Sequence, residues 1–113
     1  MICIAVDGDT IRCRTDLSAQ SQRVRLWGID SVERGEPGFA KAKAAMRTLI
    51  RRKTVICKPP VGKARFRRDR YRRIVARCFV DGKDVAIWMV CNKQARDWPR
   101  YSGGYYTRVR CPK

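Results

Sequence analysis

The chain opens with an apolar run, Ile2-Cys-Ile-Ala-Val6, and a second β-compatible run follows at 10–14. Asp7-Gly8-Asp9 lies between them, and turn formers between two such runs predict a β-hairpin. Residues 17–22, Leu-Ser-Ala-Gln-Ser-Gln, read as a loop. Alternation returns at 23–29, where Val24, Leu26 and Gly28 share one face of a third strand. Arg23, Arg25 and Trp27 fall on the other. Glu36-Pro37-Gly38 then breaks the pattern.

The period changes at 39–52, FAKAKAAMRTLIRR, the clearest helix in the chain. Its alanines favour the helix, and Phe39, Ala42, Met46, Leu49 and Ile50 take core-facing spacing. Arg51 and Arg52 would then sit in the last turn, where cations suit the negative helix end. Residues 53–58 read as a strand stopped by Pro59-Pro60, and 74–80 as another, followed by an Asp81-Gly82 turn. A short helix is expected at 84–91, closed by Asn92 in a left-handed conformation. The segment 101–106 is turn-like and aromatic. The resulting order, β-β-β-α-β-β-α, is that of a five-stranded OB-type β-barrel with helices, α+β by content. With 113 residues, 44% of them hydrophobic, one modest core and one domain over 1–113 are expected.

Charge adds a direction. Residues 1–36 carry five basic and six acidic side chains, a net of −1, while the other 77 carry 22 and four, a net of +18. Such a field draws polyanions and speeds their encounter. Residues 61–73, VGKARFRRDRYRR, concentrate seven basic residues around one acid and interleave Phe66 and Tyr71, a combination that suits single-stranded nucleic acid.

Histidine is absent, which excludes Ser-His-Asp and Cys-His catalysis and any His base or His metal ligand. The six cysteines form no C-x-x-C pair, so a zinc finger is not expected. Their even number favours a disulfide framework and an oxidising compartment. Cys3 and Cys13 flank the first hairpin, Cys57 and Cys78 lie on consecutive strands, and Cys91 and Cys111 could tie the last helix to the tail. The pairing 3–13, 57–78, 91–111 is therefore expected out of fifteen possible. No run of apolar residues is long enough to span a membrane. The N-terminus carries no charged leader, so either the chain stays inside the cell or a leader lies outside this numbering, and the six cysteines favour a secreted or periplasmic protein.

Three carboxylates stand where strands end or turn: Asp9, Asp30 and Glu33. Arg25 precedes the second of these on the third strand. Clustered carboxylates bind a hard cation, arginines clamp a phosphodiester, and a further carboxylate activates water. Three stretches carry this constellation: Val6-Asp-Gly-Asp-Thr10, Val24-Arg-Leu-Trp-Gly-Ile-Asp-Ser-Val-Glu33 and Asp69-Arg-Tyr-Arg-Arg-Ile-Val-Ala76. In order and spacing they resemble the signature blocks of the staphylococcal nuclease (thermonuclease) family, with the resemblance running from about residue 2 to residue 101.

That resemblance implies an OB-fold, Ca²⁺-dependent nuclease acting on DNA and/or RNA and leaving 3′-phosphates. By the same resemblance, Asp9, Asp30 and the Ser31 carbonyl would hold calcium, with Asp7 in support. Glu33 would be the general base on water, and Arg25 and Arg73 would grip the phosphate and stabilise the transition state. Arg70, Tyr71 and Tyr101 would border the nucleotide. Departures from the family pattern are Ser31-Val32 in place of Thr-Pro, which is expected to loosen the loop of Glu33, and Arg72 beside Arg73, which competes for the catalytic register. The loop after Glu33 is short, and little of the family's last helix remains. The alternative is a catalytically silent OB-fold module that binds nucleic acid. A cationic protein working on membrane surfaces would need an amphipathic helix, and the helix at 39–52 is built for a core. A monomer with no membrane partner is expected.

Overall fold

The computed structural model describes residues 1–15 and 20–111, so residues 17–19 of the loop expected at 17–22 lie outside the described residues. In chain order the first elements are β1 (Ile2–Ala5), β2 (Thr10–Arg14), β3 (Gln22–Leu26), β4 (Ile29–Asp30) and α1 (Phe39–Ile50). Then come β5 (Ile56–Lys58), β6 (Arg67–Arg68), β7 (Ile74–Val80), β8 (Lys83–Asp84) and α2 (Val85–Cys91). The chain continues through β9 (Arg96–Asp97), α3 (Pro99–Ser102) and a 3₁₀ turn at Tyr106–Arg108.

The main sheet has the order β1-β2-β3-β7-β5, with β6 and β8 also paired to β7 and with β3 and β7 parallel. It curls until its first and last strands approach one another. Met1 and Val55 exchange hydrogen bonds of 2.9 and 2.8 Å, and Ile2 bridges Thr54. The result is the expected OB-like curled barrel. Its inner face (Ile11, Val24, Leu26, Ala76) is buried together with Met46 and Ile50 of α1 and Met89 of α2. Asp81 and Gly82 both have positive φ, as a two-residue turn joining β7 to β8 requires.

The three disulfides are Cys3–Cys13, Cys57–Cys78 and Cys91–Cys111. The first two join residues that face each other directly across paired strands, which is why the strand pattern identified them.

Local expectations differ from the structure at five places. Residues 53–58 are not one strand, because Thr54 bridges β1 while 56–58 pair with β7, so the segment crosses the seam of the barrel. The helix stops at Ile50, its last core residue. Arg51 is extended and Arg52 left-handed (φ 59°), so both form the turn that reverses the chain. Phe39 is half-buried beneath the Arg34 guanidinium, 5.6 Å from its ring centre, rather than facing the core. Trp27 lies beyond the end of β3 and is buried against Tyr105 and Tyr106. After α2, Lys93 and not Asn92 is left-handed. Lys93 and Gln94 then donate to the Val90 and Met89 carbonyls, a Schellman closure one residue later than expected.

Candidate active site

The turn of the first hairpin docks on the segment after β4, and Gly8 makes this possible. A Cβ at Gly8 would stand 2.1 Å from Ser31 Oγ and 3.0 Å from Ala42 Cβ, so only glycine lets the turn come so close. Asp7 steadies the turn by accepting the Asp9 N–H at 2.9 Å. The buried Asp9 carboxylate then accepts the Ser31 N–H at 2.9 Å on Oδ2 and the Thr10 hydroxyl at 3.0 Å on Oδ1.

From Asp9 a polar network runs in two directions. Arg25 Nη2 lies 3.5 Å from Asp9 Oδ2 and 3.8 Å from Asp30 Oδ1, so one guanidinium nitrogen joins two carboxylates. Arg96 reaches Asp30 Oδ2 at 3.2 Å from the far side. In the other direction, Thr10 Oγ1 accepts from Arg73 Nη1 at 3.5 Å. Asp69 holds Arg73 in turn, accepting its Nε at 2.8 Å and its backbone N–H at 2.9 Å. Although burial raises the Asp69 carboxyl, these bonds from Arg73 and one from Tyr71 outweigh it and bring the pKa below the ordinary value. Burial pushes Asp9 up to about 6 against the pull of Arg25, and neighbouring Asp7 adds to the rise.

Asp9, Arg25, Asp30, Asp69 and Arg73 line one open cleft of about 630 Å³, shared with Glu33, Arg70, Tyr71, Trp98, Arg100 and Tyr101. Each cleft arginine at the centre rests on an aromatic ring. Arg73 lies 5.2 Å from the centre of Tyr71, which Arg70 also covers at 5.0 Å. Arg25 lies 5.5 Å from Trp98, which packs edge-on against Tyr101 at 4.5 Å. Arg72, by contrast, is exposed with φ 64° and does not line the cleft. Of the two adjacent arginines, the structure turns Arg73 inward.

Residues 23–108, about three quarters of the chain, match the family described as "staphylococcal nuclease homologue". The chain belongs to this family. It is also 31% identical over 96 residues, 85% of its length, to a Haemophilus influenzae protein named "uncharacterized endonuclease". The match covers 50% of that relative, so the chain spans about half its length. The family match starts after the first hairpin. Asp9 therefore joins the staphylococcal nuclease segment through the docking of Gly8 on Ser31.

Two further expected site residues are Glu33, outside the network, and Ser31, beneath it. Glu33 lines the cleft but is exposed, and its carboxylate has no ion-pair partner among the described residues. Its loop is held without the proline, since Glu33 N–H donates to Glu36 Oε1 at 2.8 Å and Glu36 N–H returns to the Glu33 carbonyl at 3.0 Å. Ser31 is buried behind Asp9, with its hydroxyl donating to the Gln94 carbonyl at 3.0 Å.

Four residues at the site are given no role by the sequence. Arg96 and Trp98 arrive because β9 pairs with β4, bringing Arg96 opposite Asp30. Asp69 and Thr10 belong to the signature stretches, but only the fold reveals them as partners of Arg73.

For calcium, which staphylococcal nuclease membership raises, the donor chemistry decides the fit. Among the described residues no group of three or more Asp, Glu, His or Cys side chains is arranged around a common point. Asp9 and Asp30 nevertheless converge on one Arg25 nitrogen, and hard carboxylate oxygens suit a hard cation. The fit holds if backbone carbonyl, water and substrate oxygens complete the shell, as is usual for such ions.

Proposed function

We propose that this chain is a calcium-dependent endonuclease that hydrolyses phosphodiester bonds of DNA and/or RNA. The observation carrying this reading is the continuous network Arg73–Thr10–Asp9–Arg25–Asp30, whose charged members line one cleft with Glu33. Two cations and a carboxylate free of ion pairs are the parts that phosphoryl transfer needs.

Arg25 and Arg73 take the non-bridging phosphate oxygens. Their planar forks can contact phosphate bidentately and stay charged throughout. Both are held in advance, Arg25 between Asp9 and Asp30 and Arg73 by Asp69, so little reorganisation accompanies substrate entry. Glu33 accepts a proton from the attacking water on its exposed carboxylate. Asp9, Asp30 and the Ser31 carbonyl would hold calcium, which when bound neutralises phosphate charge. Arg70, Tyr71 and Tyr101 border the nucleotide and supply stacking and charge.

Digestion of single-stranded DNA and RNA by the purified chain, with calcium and with chelator, tests the proposal. Cleavage is expected only with calcium. Cleavage that persists in chelator removes the metal from the reading, and binding without cleavage under both conditions leaves a silent binding module. The variant Glu33→Gln should bind substrate normally and turn it over far more slowly.

A further inference from the structure

The sheet beside the cleft is also the wall of a second cavity. At Ile74–Val75, β7 is flanked by β3 on one side and β6 on the other. Residues directly opposite across paired strands share a face. One rank, Arg25–Val75–Arg67, belongs to the cleft. The other, Val24–Ile74–Arg68, borders a cavity of about 540 Å³ at the mouth of the barrel. Arg67 and Arg68 line both spaces, so β6 is a ridge at which the two meet.

The two spaces differ in chemistry. Five acidic residues line the cleft, and none lines the second cavity among the described residues. Its floor is apolar, with Cys13, Val24, Cys57 and Ile74, and Phe66 stands at its edge half-exposed at 50%. Arg68 is held only by neutral acceptors, the Gln22 side chain at 2.7 Å and the Arg72 carbonyl at 2.9 Å. Its charge and that of Arg67 have no carboxylate partner among the described residues. An apolar pocket edged by an aromatic ring and uncompensated arginines suits a flat apolar group attached to an anion. A nucleobase with its phosphate is such a group.

We propose that this cavity is a second nucleotide subsite, taking a base from the same strand whose phosphate lies in the cleft. Phe66 provides the stacking face, and Arg67 and Arg68 hold the phosphate that crosses the β6 ridge. The proposal rests on the reading of the cleft as a nucleic-acid site.

Equilibrium binding in chelator tests it without requiring turnover. The probes are a nucleoside bisphosphate, short enough to occupy the cleft alone, and a fluorescent single-stranded octanucleotide. Wild type should bind both, and failure to bind either one overturns the cleft reading itself. Phe66→Ala should weaken the octanucleotide by roughly 5- to 100-fold, the usual loss of one base–aromatic stack. It should leave the bisphosphate unchanged. Equal losses for both probes, or none, overturn the subsite while leaving the cleft reading intact. A 5-iodouracil octanucleotide should photocrosslink to Phe66, and crosslinks confined to Tyr71 and Tyr101 would also overturn it.

Discussion

Asp69 holds Arg73 at two points, accepting the backbone N–H at 2.9 Å on Oδ1 and Nε at 2.8 Å on Oδ2. The first bond shapes the turn, and the second aims the guanidinium into the cleft. Asp69→Asn keeps an acceptor for the turn but loses the charged partner of Nε. It should lower kcat by about 10- to 100-fold, the scale of a misplaced catalytic group, with little change in melting temperature. Arg73→Lys should cost on the order of 10²–10³ in kcat. Arg72→Lys should cost little, because Arg72 faces solvent. Steady-state kinetics on all three decides, and a larger loss at 72 than at 73 would reject the assignment.

Gly8 offers a different kind of test, because its side-chain space is already filled. A methyl group there meets Ser31 Oγ at 2.1 Å and Ser31 Cβ at 2.7 Å. Gly8→Ala should therefore destabilise by about 1–3 kcal/mol, the usual cost of overpacking. It should also reduce activity by pushing Asp9 away from Asp30. Two of the three close atoms belong to the Ser31 side chain, so Ser31→Gly should restore part of the loss. A double-mutant cycle in urea measures this coupling, and strictly additive costs would show that the clash lies elsewhere.

How far these features could be read from sequence depended on how local they were. The hairpin that carries Asp9, the alternation that puts Arg25 opposite Val24 and two of the disulfides follow from strands long enough to show a period of two. The β4–β9 pairing that delivers Arg96 and Trp98 uses two-residue strands, too short for any periodicity. The choice between Arg72 and Arg73 was invisible for a related reason. It depends on a positive φ at a non-glycine residue, which the neighbouring Asp69 carboxylate stabilises. Trp27 alternated correctly with its neighbours, but β3 ended one residue earlier, at Leu26, and Gly28 (φ 75°) let Ser102 and Tyr106 close over it.

Asp97 sets an expectation for pH. Burial raises its carboxyl, but donors from Ser102 and Thr107 outweigh that and hold it below the ordinary 3.8. A carboxylate with a depressed folded-state pKa contributes stability above its unfolded value and loses it as pH falls through the folded one. Asp97→Asn should thus cost about 1–3 kcal/mol at neutral pH, as expected for hydrogen bonds to a charged acceptor. The difference from wild type should shrink below pH 3.8. Asp84, raised by burial, has the opposite sign in both proteins and cancels in that comparison. Urea melts across the acid range measure the difference, and a constant gap at every pH would exclude the ionised side chain as its source.

The Cys91–Cys111 bond separates what the tail does from what the barrel does. It encloses a segment with a sequence separation of 20 that contains Arg96, Trp98 and Tyr101 but none of Asp9, Arg25, Glu33 or Arg73. Closing a loop of this length restricts the unfolded chain by about 3 kcal/mol in the chain-entropy account. Replacing both cysteines with alanine should lower unfolding free energy by about that amount. In the folded fraction, a looser tail should weaken the contact proposed between Tyr101 and the nucleotide in ground and transition states alike. A loss of that kind raises KM and spares kcat. Cys57–Cys78 encloses Asp69, Arg70, Tyr71 and Arg73 instead, so its removal should destabilise to a similar degree and lower kcat as well as raise KM. Kinetics of the two double variants, taken well below their melting temperatures, distinguish the roles. A fall in kcat at constant KM for the 91–111 variant would mean that the tail supports the reacting phosphate itself.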